Sequence, residues 1–252
     1  MTLPRTRGHA AAQVLLFVVA DLLYEAVRGL VVGRPSAAFA HAHAIVRLER
    51  GLGIYVEPAI QRHLIGHPAV LQVANWLYLN VQFTANAAFL AFVYLQRHAA
   101  YARARNALFI AMGVALVVHL LLPVAPPRLL PGDGFVDTVK TIAHVDQDTG
   151  AVGAMVNPYA AVPSMHVCFA LIVGWTGMHL AAHRAVAAAW AAYPLLVVVV
   201  VVVTANHFIF DAVTGGCAAA VAVALAAVTS RRRAASTGMR PARSPIAGEA
   251  DG

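Results

Sequence analysis

Charge is what this chain has least of. Only 12% of its 252 residues are Asp, Glu, Lys or Arg, against about 25% in a soluble domain. A charged side chain at the centre of a bilayer costs about 2.5–3.5 kcal/mol on insertion scales, so the shortage is what a membrane-embedded chain requires. Cysteine is almost absent: Cys168 and Cys217 both fall inside apolar runs, which excludes a disulfide framework. Acidic residues are scarcer than basic ones, and the net charge is +7. The arginines nevertheless sit in short gaps between apolar runs rather than on one face, so a nucleic-acid partner is not expected. What the chain does have is hydrophobic surface, 60% of its residues with a mean hydropathy of +0.71.

A helix that crosses a bilayer needs about 20 apolar residues. Runs of that kind cover 10–32, 68–95, 105–123, 164–182, 186–205 and 207–229. Each is continuous enough to satisfy its backbone hydrogen bonds internally, the condition for spanning lipid. The expectation is an all-α integral membrane bundle of six transmembrane helices. The first run imitates a cleavable signal peptide up to Ala20, but its apolar pattern resumes past Asp21 and reads as a retained span. Within it Asp21, Glu25 and Arg28 share one helical face. They suit either an ion network facing the bundle interior or a contact with substrate.

Residues 34–67 are too polar for the hydrocarbon core yet carry Ile45, Leu48, Leu52, Val56 and Ile60, broken by Gly51, Gly53 and Pro58. They read as one or two short amphipathic helices on the membrane surface. The segment 124–163 is long for a connection and is expected to be functional, disordered or a lid. Its acids Asp133, Asp137, Asp146 and Asp148 could in principle gather a metal, although a solvated loop suits them better. Residues 1–230 form one membrane domain, and 231–252, rich in Arg, Ala, Ser, Gly and Pro, read as a disordered cytoplasmic tail. With the N-terminus inside, the inner segments carry Arg5, Arg7, Arg97, Arg103, Arg105, Arg184 and five tail arginines. The outer ones carry Arg34, Arg47, Arg50, Arg62, Arg128 and Lys140. That bias places both termini in the cytoplasm of a plasma-membrane protein.

Three short segments then fall at the same outer face: Pro126-Pro127-Arg128, Pro163-Ser164-Met165-His166 and Asn206-His207-Phe208-Ile209-Phe210-Asp211. His207 and Asp211 are four apart and share a helical face. A carboxylate holding imidazole Nδ1–H fixes the tautomer and leaves Nε2 to attack. Ser164 is a potential cap for a helix in which His166 occupies the first turn, where free N–H groups and the dipole attract an anion. A histidine there is placed to protonate a leaving oxygen. Arg128 follows two stiffening prolines, and its planar fork suits a phosphate. Each segment alone has a plain structural explanation. Together they supply the parts for making and hydrolysing a phosphohistidine.

This set resembles the type 2 phosphatidic acid phosphatase superfamily, and within it is most similar to the branch of the inositol phosphorylceramide synthases. The resemblance is carried by Pro126-Pro127-Arg128, Pro163 to His166 and Asn206-His207 with Asp211. It implies a six-helix enzyme in which His207 is the nucleophile, Asp211 its partner, His166 the general acid and Arg128 a phosphate ligand, with no metal or other cofactor. The wider superfamily carries a lysine seven residues before the arginine and an arginine six residues before the nucleophile. Here those positions are Leu121 and Val201. Lys140, Asn157, Tyr159 and Asn206, with Ser164, are the candidates to complete the phosphate site. The implied function is phosphatase or phosphotransferase chemistry on a glycerolipid, polyprenyl or inositol-lipid phosphate, with the bilayer as partner. The competing readings are a non-catalytic lipid-binding or transport protein and, prompted by twelve histidines, a haem or metal protein.

Overall fold

The computed structural model describes residues 6–29, 35–145 and 157–236. Among them every regular element is helical. In chain order these are α1 (Arg7–Gly29), α2 (Pro35–Leu52), α3 (Glu57–Ile65), α4 (Pro68–Gln96) and α5 (His98–Leu121). There follow two 3-10 turns (Pro127–Leu129 and Pro131–Asp133), the single-turn α6 (Thr138–Thr141), α7 (Met165–Leu180), α8 (Arg184–Val203) and α9 (Ile209–Ser236).

Four helices are long and apolar enough to cross a bilayer: α4, α5, α8 and the Ile209–Arg232 part of α9. Among the described residues these four are the helices that meet that length and composition, and they account for four of the six expected spans. Two shorter apolar stretches among the described residues are Gly8–Tyr24 in α1 and Met165–Leu180, which is α7. The latter sits in the middle of the bundle. Val167, Cys168, Ala170, Ile172, Val173, Gly174 and Gly177 are all buried, packed between α5, α8 and α9. A Cβ on Gly177 would meet the Trp190 ring at 2.5 Å, so α8 lies against α7 closely enough to require glycine there.

The amphipathic expectation for 34–67 resolves into α2 and α3, with Gly53 turning the chain between them at φ +71°. The buried face of α2 is Ala38, Ala42, Ile45, Val46 and Glu49, a spacing of three and four residues that makes one stripe. It packs on Val124, Ala125, Leu130, Phe135, Ala161, Val162, Ala205 and Phe208. These helices therefore cover the loops that join the long helices.

Residues 124–145 are tied down at several points. Gln61 exchanges two hydrogen bonds with the Val136 backbone, both 2.9 Å. Asn75 does the same with Thr138, at 2.8 and 3.0 Å. Val124 and Ala160 pair in an isolated parallel bridge. Asp133 bonds Arg50 at 3.1 Å and His43 at 3.3 Å, which accounts for one acid of the loop; Asp146 and Asp148 lie outside the described residues. Residues 231–236 of the expected tail are helical, because α9 runs through Ser236; the rest of it lies outside the described residues. Arg231 to Arg233 and the alanines after them are good helix formers, and cations suit a helix C-terminus.

Candidate active site

The chain reaches His207 through a tight reversal. At the end of α8, Ala205 N–H donates to Val202 O at 3.0 Å and Asn206 N–H to Val201 O at 3.1 Å, the paired bonds of a Schellman helix end. That motif needs a left-handed residue, and Ala205 takes φ +55°. Glycine is the usual occupant; an alanine held there costs about 1 kcal/mol. Asn206 then donates to Thr204 Oγ1 at 2.9 Å, and α9 starts two residues after His207.

His207 and Asp211 meet as their spacing suggested, although His207 stands just outside the helix. Nδ1 lies 3.2 Å from Asp211 Oδ2, and the same oxygen accepts the Phe208 N–H at 3.0 Å. Asp211 is fully buried and His207 is 5% exposed. Burial pushes the imidazole down to about 4, and the nearby Arg128 charge adds to this, while a ring hydrogen bond to the Ala161 backbone opposes both. The ring is therefore a neutral base through the physiological range.

Ser164 caps α7, its Oγ accepting the Val167 N–H at 3.4 Å. Its own N–H donates to the Asp211 carbonyl at 3.1 Å, which fastens the start of α7 to the start of α9. His166, two residues on, faces His207 with ring centroids 5.8 Å apart. Tyr78 of α4 stacks on the His166 ring at 4.5 Å.

Arg128 sits in the first 3-10 turn, and its backbone N–H donates to Ala205 O at 2.7 Å. The first loop is thus bonded to the reversal that presents His207. The guanidinium is buried, with Nη1 3.0 Å from Asp137 Oδ2. Asp137, suggested above only as one of four loop acids, turns out to be the counterion of Arg128.

These side chains line one cavity of about 160 Å³, walled by Arg128, Asn157, His166, Asn206 and His207 on the loop side and by Asp21, Tyr24, Gln82 and His119 across from them. Asp21 is the member of the first-span trio that reaches it; the side chains of Glu25 and Arg28 lie outside the described residues. Of the residues expected to complete the phosphate site, Asn157 and Asn206 line the cavity. Lys140 and Tyr159 do not: Lys140 is an exposed residue of α6, its backbone N–H bonded to Asp137, and Tyr159 packs against Phe39 at 6.1 Å. Ser164 acts beside the cavity, as a cap. Leu121 is 74% exposed and Val201 fully buried, so neither position that lacks the superfamily's cation faces the cavity.

A larger hollow of about 970 Å³ opens from the same place. It is lined mainly by apolar side chains of α1, α4 and α5, and shares Asp21, Tyr78, Gln82, Met112, His166 and Phe169 with the polar cavity. Sequence reasoning missed Tyr78, Gln82 and two buried acids, Glu49 and Glu57, whose carboxylates accept the first backbone N–H groups of α9. The two acids carried one signal: Glu49 continues the apolar stripe of α2, where a charge is out of place.

Compared with known families, residues 43–225 match the one described as the PAP2 superfamily. No curated protein and no solved structure matches the chain.

Proposed function

The chain belongs to the PAP2 superfamily, and on that premise we propose that it is a membrane-embedded lipid-phosphate phosphatase or phosphotransferase working through a phosphohistidine at His207. The observation that carries this reading is the contact between His207 and Asp211. A buried carboxylate 3.2 Å from Nδ1 holds the ring of His207, which lines the same cavity as Arg128 and His166, and leaves Nε2 as the attacking nitrogen of this reading.

The chemistry follows from those positions. Nε2 of neutral His207 attacks phosphorus, and the bond from phosphorus to the lipid oxygen breaks. The leaving alkoxide takes a proton from His166, which must be in its imidazolium form at that moment. Arg128, Asn157 and Asn206 offer N–H donors to the phosphoryl oxygens, which carry the charge in the transition state. In the second half His166, now neutral, removes a proton from water or an alcohol, whose oxygen displaces the histidine. The P–N bond breaks and phosphate or a new phosphodiester leaves. Water gives a phosphatase and an alcohol a transferase, so both outcomes share the first step.

A lipid is the substrate that fits a polar pocket opening into an apolar hollow, because head and tail then each meet a matching wall. With a lipid-embedded site, α1 and α7 complete six spans around it, and the arginine asymmetry puts the termini inside and the site at the outer face. The branch of the inositol phosphorylceramide synthases is favoured by the sequence alone, which has Leu121 and Val201 where the wider superfamily carries a lysine and an arginine. The competing reading, a lipid-binding protein without chemistry, is separated by one assay. Purified protein is expected to release phosphate from phosphatidate or polyprenyl phosphate micelles in the presence of EDTA, and His207→Ala to abolish release while remaining folded. Equal release by both proteins would remove His207 from the mechanism.

A further inference from the structure

The first two backbone N–H groups of α9 each donate to a carboxylate from far away in the chain. Ile209 N–H meets Glu57 Oε1 at 2.9 Å, and Phe210 N–H meets Glu49 Oε1 at 2.8 Å. The next residue is Asp211. Both acids are fully buried, at 0% exposure. Their remaining oxygens, Glu49 Oε2 and Glu57 Oε2, are buried too and receive no N–H or O–H from the described residues. The two acids accept adjacent N–H groups of one helix start, so their carboxyls lie side by side, and each leaves a buried oxygen that a proton held between them would supply with a donor. Two ionised acids in contact in a dry volume repel, and such pairs hold one proton in common. With it, the pair keeps a single negative charge at the positive end of α9, where an anion is favoured. Burial, the contact with Glu57 and the charge of Asp211 push the Glu49 carboxyl up to about 8, against the opposing bond from Phe210 N–H.

We propose that Glu49 and Glu57 are positioning residues for the reaction assigned above, and that one proton shared between them fixes the start of α9 and with it the aim of Asp211 and His207. The inference rests on the proposed function only for what is being aimed; the shared proton and the held helix stand on the geometry. Facing the pair are Asp211 on α9 and Tyr55 in the turn between α2 and α3, with Arg50 and Asp133 bearing on the Tyr55 phenol. Removing the shared proton leaves two negative charges beside Asp211, and the cap on Ile209 and Phe210 loosens.

A folded-state carboxyl raised from 4.5 to about 8 keeps a proton that the unfolded chain has released. Stability therefore declines as pH rises through that window and levels off above it. His207 works in the opposite direction but only below about pH 6.5, its unfolded value. The window from about pH 6.5 to 8.5 isolates the pair.

The test uses the full-length protein in detergent micelles. The wild-type melting temperature is expected to fall by about 3 °C per pH unit up to pH 8. Glu49→Gln, whose amide supplies a permanent donor to Glu57 while its oxygen still accepts Phe210 N–H, is expected to flatten that slope. Parallel slopes in the two proteins would overturn the shared proton. In phosphate release at neutral pH, Glu49→Ala and Glu57→Ala are expected to lower kcat at least tenfold with little change in KM, and Glu49→Gln to restore most of the loss. Alanine variants with wild-type kcat would overturn the positioning role. Should the alanine variants fail to fold, Glu49→Gln and Glu57→Gln decide the matter through their pH profiles: wild-type activity falls near pH 8 and theirs does not, and coincident profiles count against the proposal. Wild type that releases no phosphate at all contradicts the proposed function alone, and the melting comparison still decides the pair.

Discussion

Ser164 and Asp211 are joined through their backbones, the Ser164 N–H donating to the Asp211 carbonyl at 3.1 Å. Two helix starts, one bearing His166 and the other following His207, are thereby held in register. Gly215 makes the approach possible: a Cβ there would meet Ser164 O at 2.5 Å, closer than such contacts allow. Gly215→Ala should force α7 and α9 apart and separate the two imidazoles. A loss of at least about tenfold in kcat is expected, since small misplacements are costly in catalysis. Steady-state phosphate release by folded, monodisperse protein checks it, and wild-type kcat would show that the approach is not needed.

Asp211→Asn tests the orienting carboxylate. The amide oxygen of Asn can take the place of Oδ2 and accept from both His207 and Phe208 N–H, but the change removes the charge that favours the Nδ1–H tautomer and supports the imidazole during attack. A fall in kcat of about 10²-fold or more is expected, the scale of a disabled acid–base partner, with KM nearly unchanged. A variant losing only KM would assign Asp211 to substrate binding instead.

Arg128 is already paired with Asp137 at 3.0 Å, so an incoming phosphate shares the guanidinium with a resident anion. Asp137→Asn keeps an acceptor beside Nη1 and removes the competing charge. Tighter inhibition by orthovanadate, by several-fold, is expected, and Arg128→Ala should weaken the same inhibition at least tenfold. Unchanged inhibition in both variants would place the phosphate elsewhere.

Acid should affect this protein late. With His207 pushed down to about 4 by burial, the nucleophile stays unprotonated until the pH approaches that value. The acidic limb of kcat/KM due to His207 is therefore expected near pH 4, not near 6.5. Stability follows the same group with a definite sign. The unfolded chain takes up a proton at about pH 6.5 that the folded ring refuses, so stability is lost as pH falls from there towards 4. Lipid vesicle assays in buffers spanning that range read the first effect and thermal unfolding the second.

The parts of the site that could be read from the chain are those that local geometry fixes. His207 and Asp211 are one helical turn apart, His166 stands two residues after a capping serine, and Arg128 follows two prolines; short range is enough for each. Asn157 and Asn206 reached the cavity as expected, while Lys140 and Tyr159, chosen by type alone, did not. What stayed hidden depends on packing between distant segments. Glu57 and Glu49 meet α9 across 152 and 161 residues, and Tyr78 reaches His166 only because α4 lies beside α7. Hydropathy likewise registers that α7 is apolar but not that its 16 residues are packed among neighbouring helices.

The most direct test of the account is to trap the covalent step. Wild-type protein, mixed briefly with a lipid carrying radiolabelled phosphate and quenched in alkali, should hold label that is stable to base, released by acid, and recovered on the peptide containing His207. His207→Ala should hold none, and His166→Ala should retain label longer than wild type, because His166 also activates the second nucleophile. Label on another residue, or full turnover with no labelled protein at any quench time, would contradict a phosphohistidine at His207.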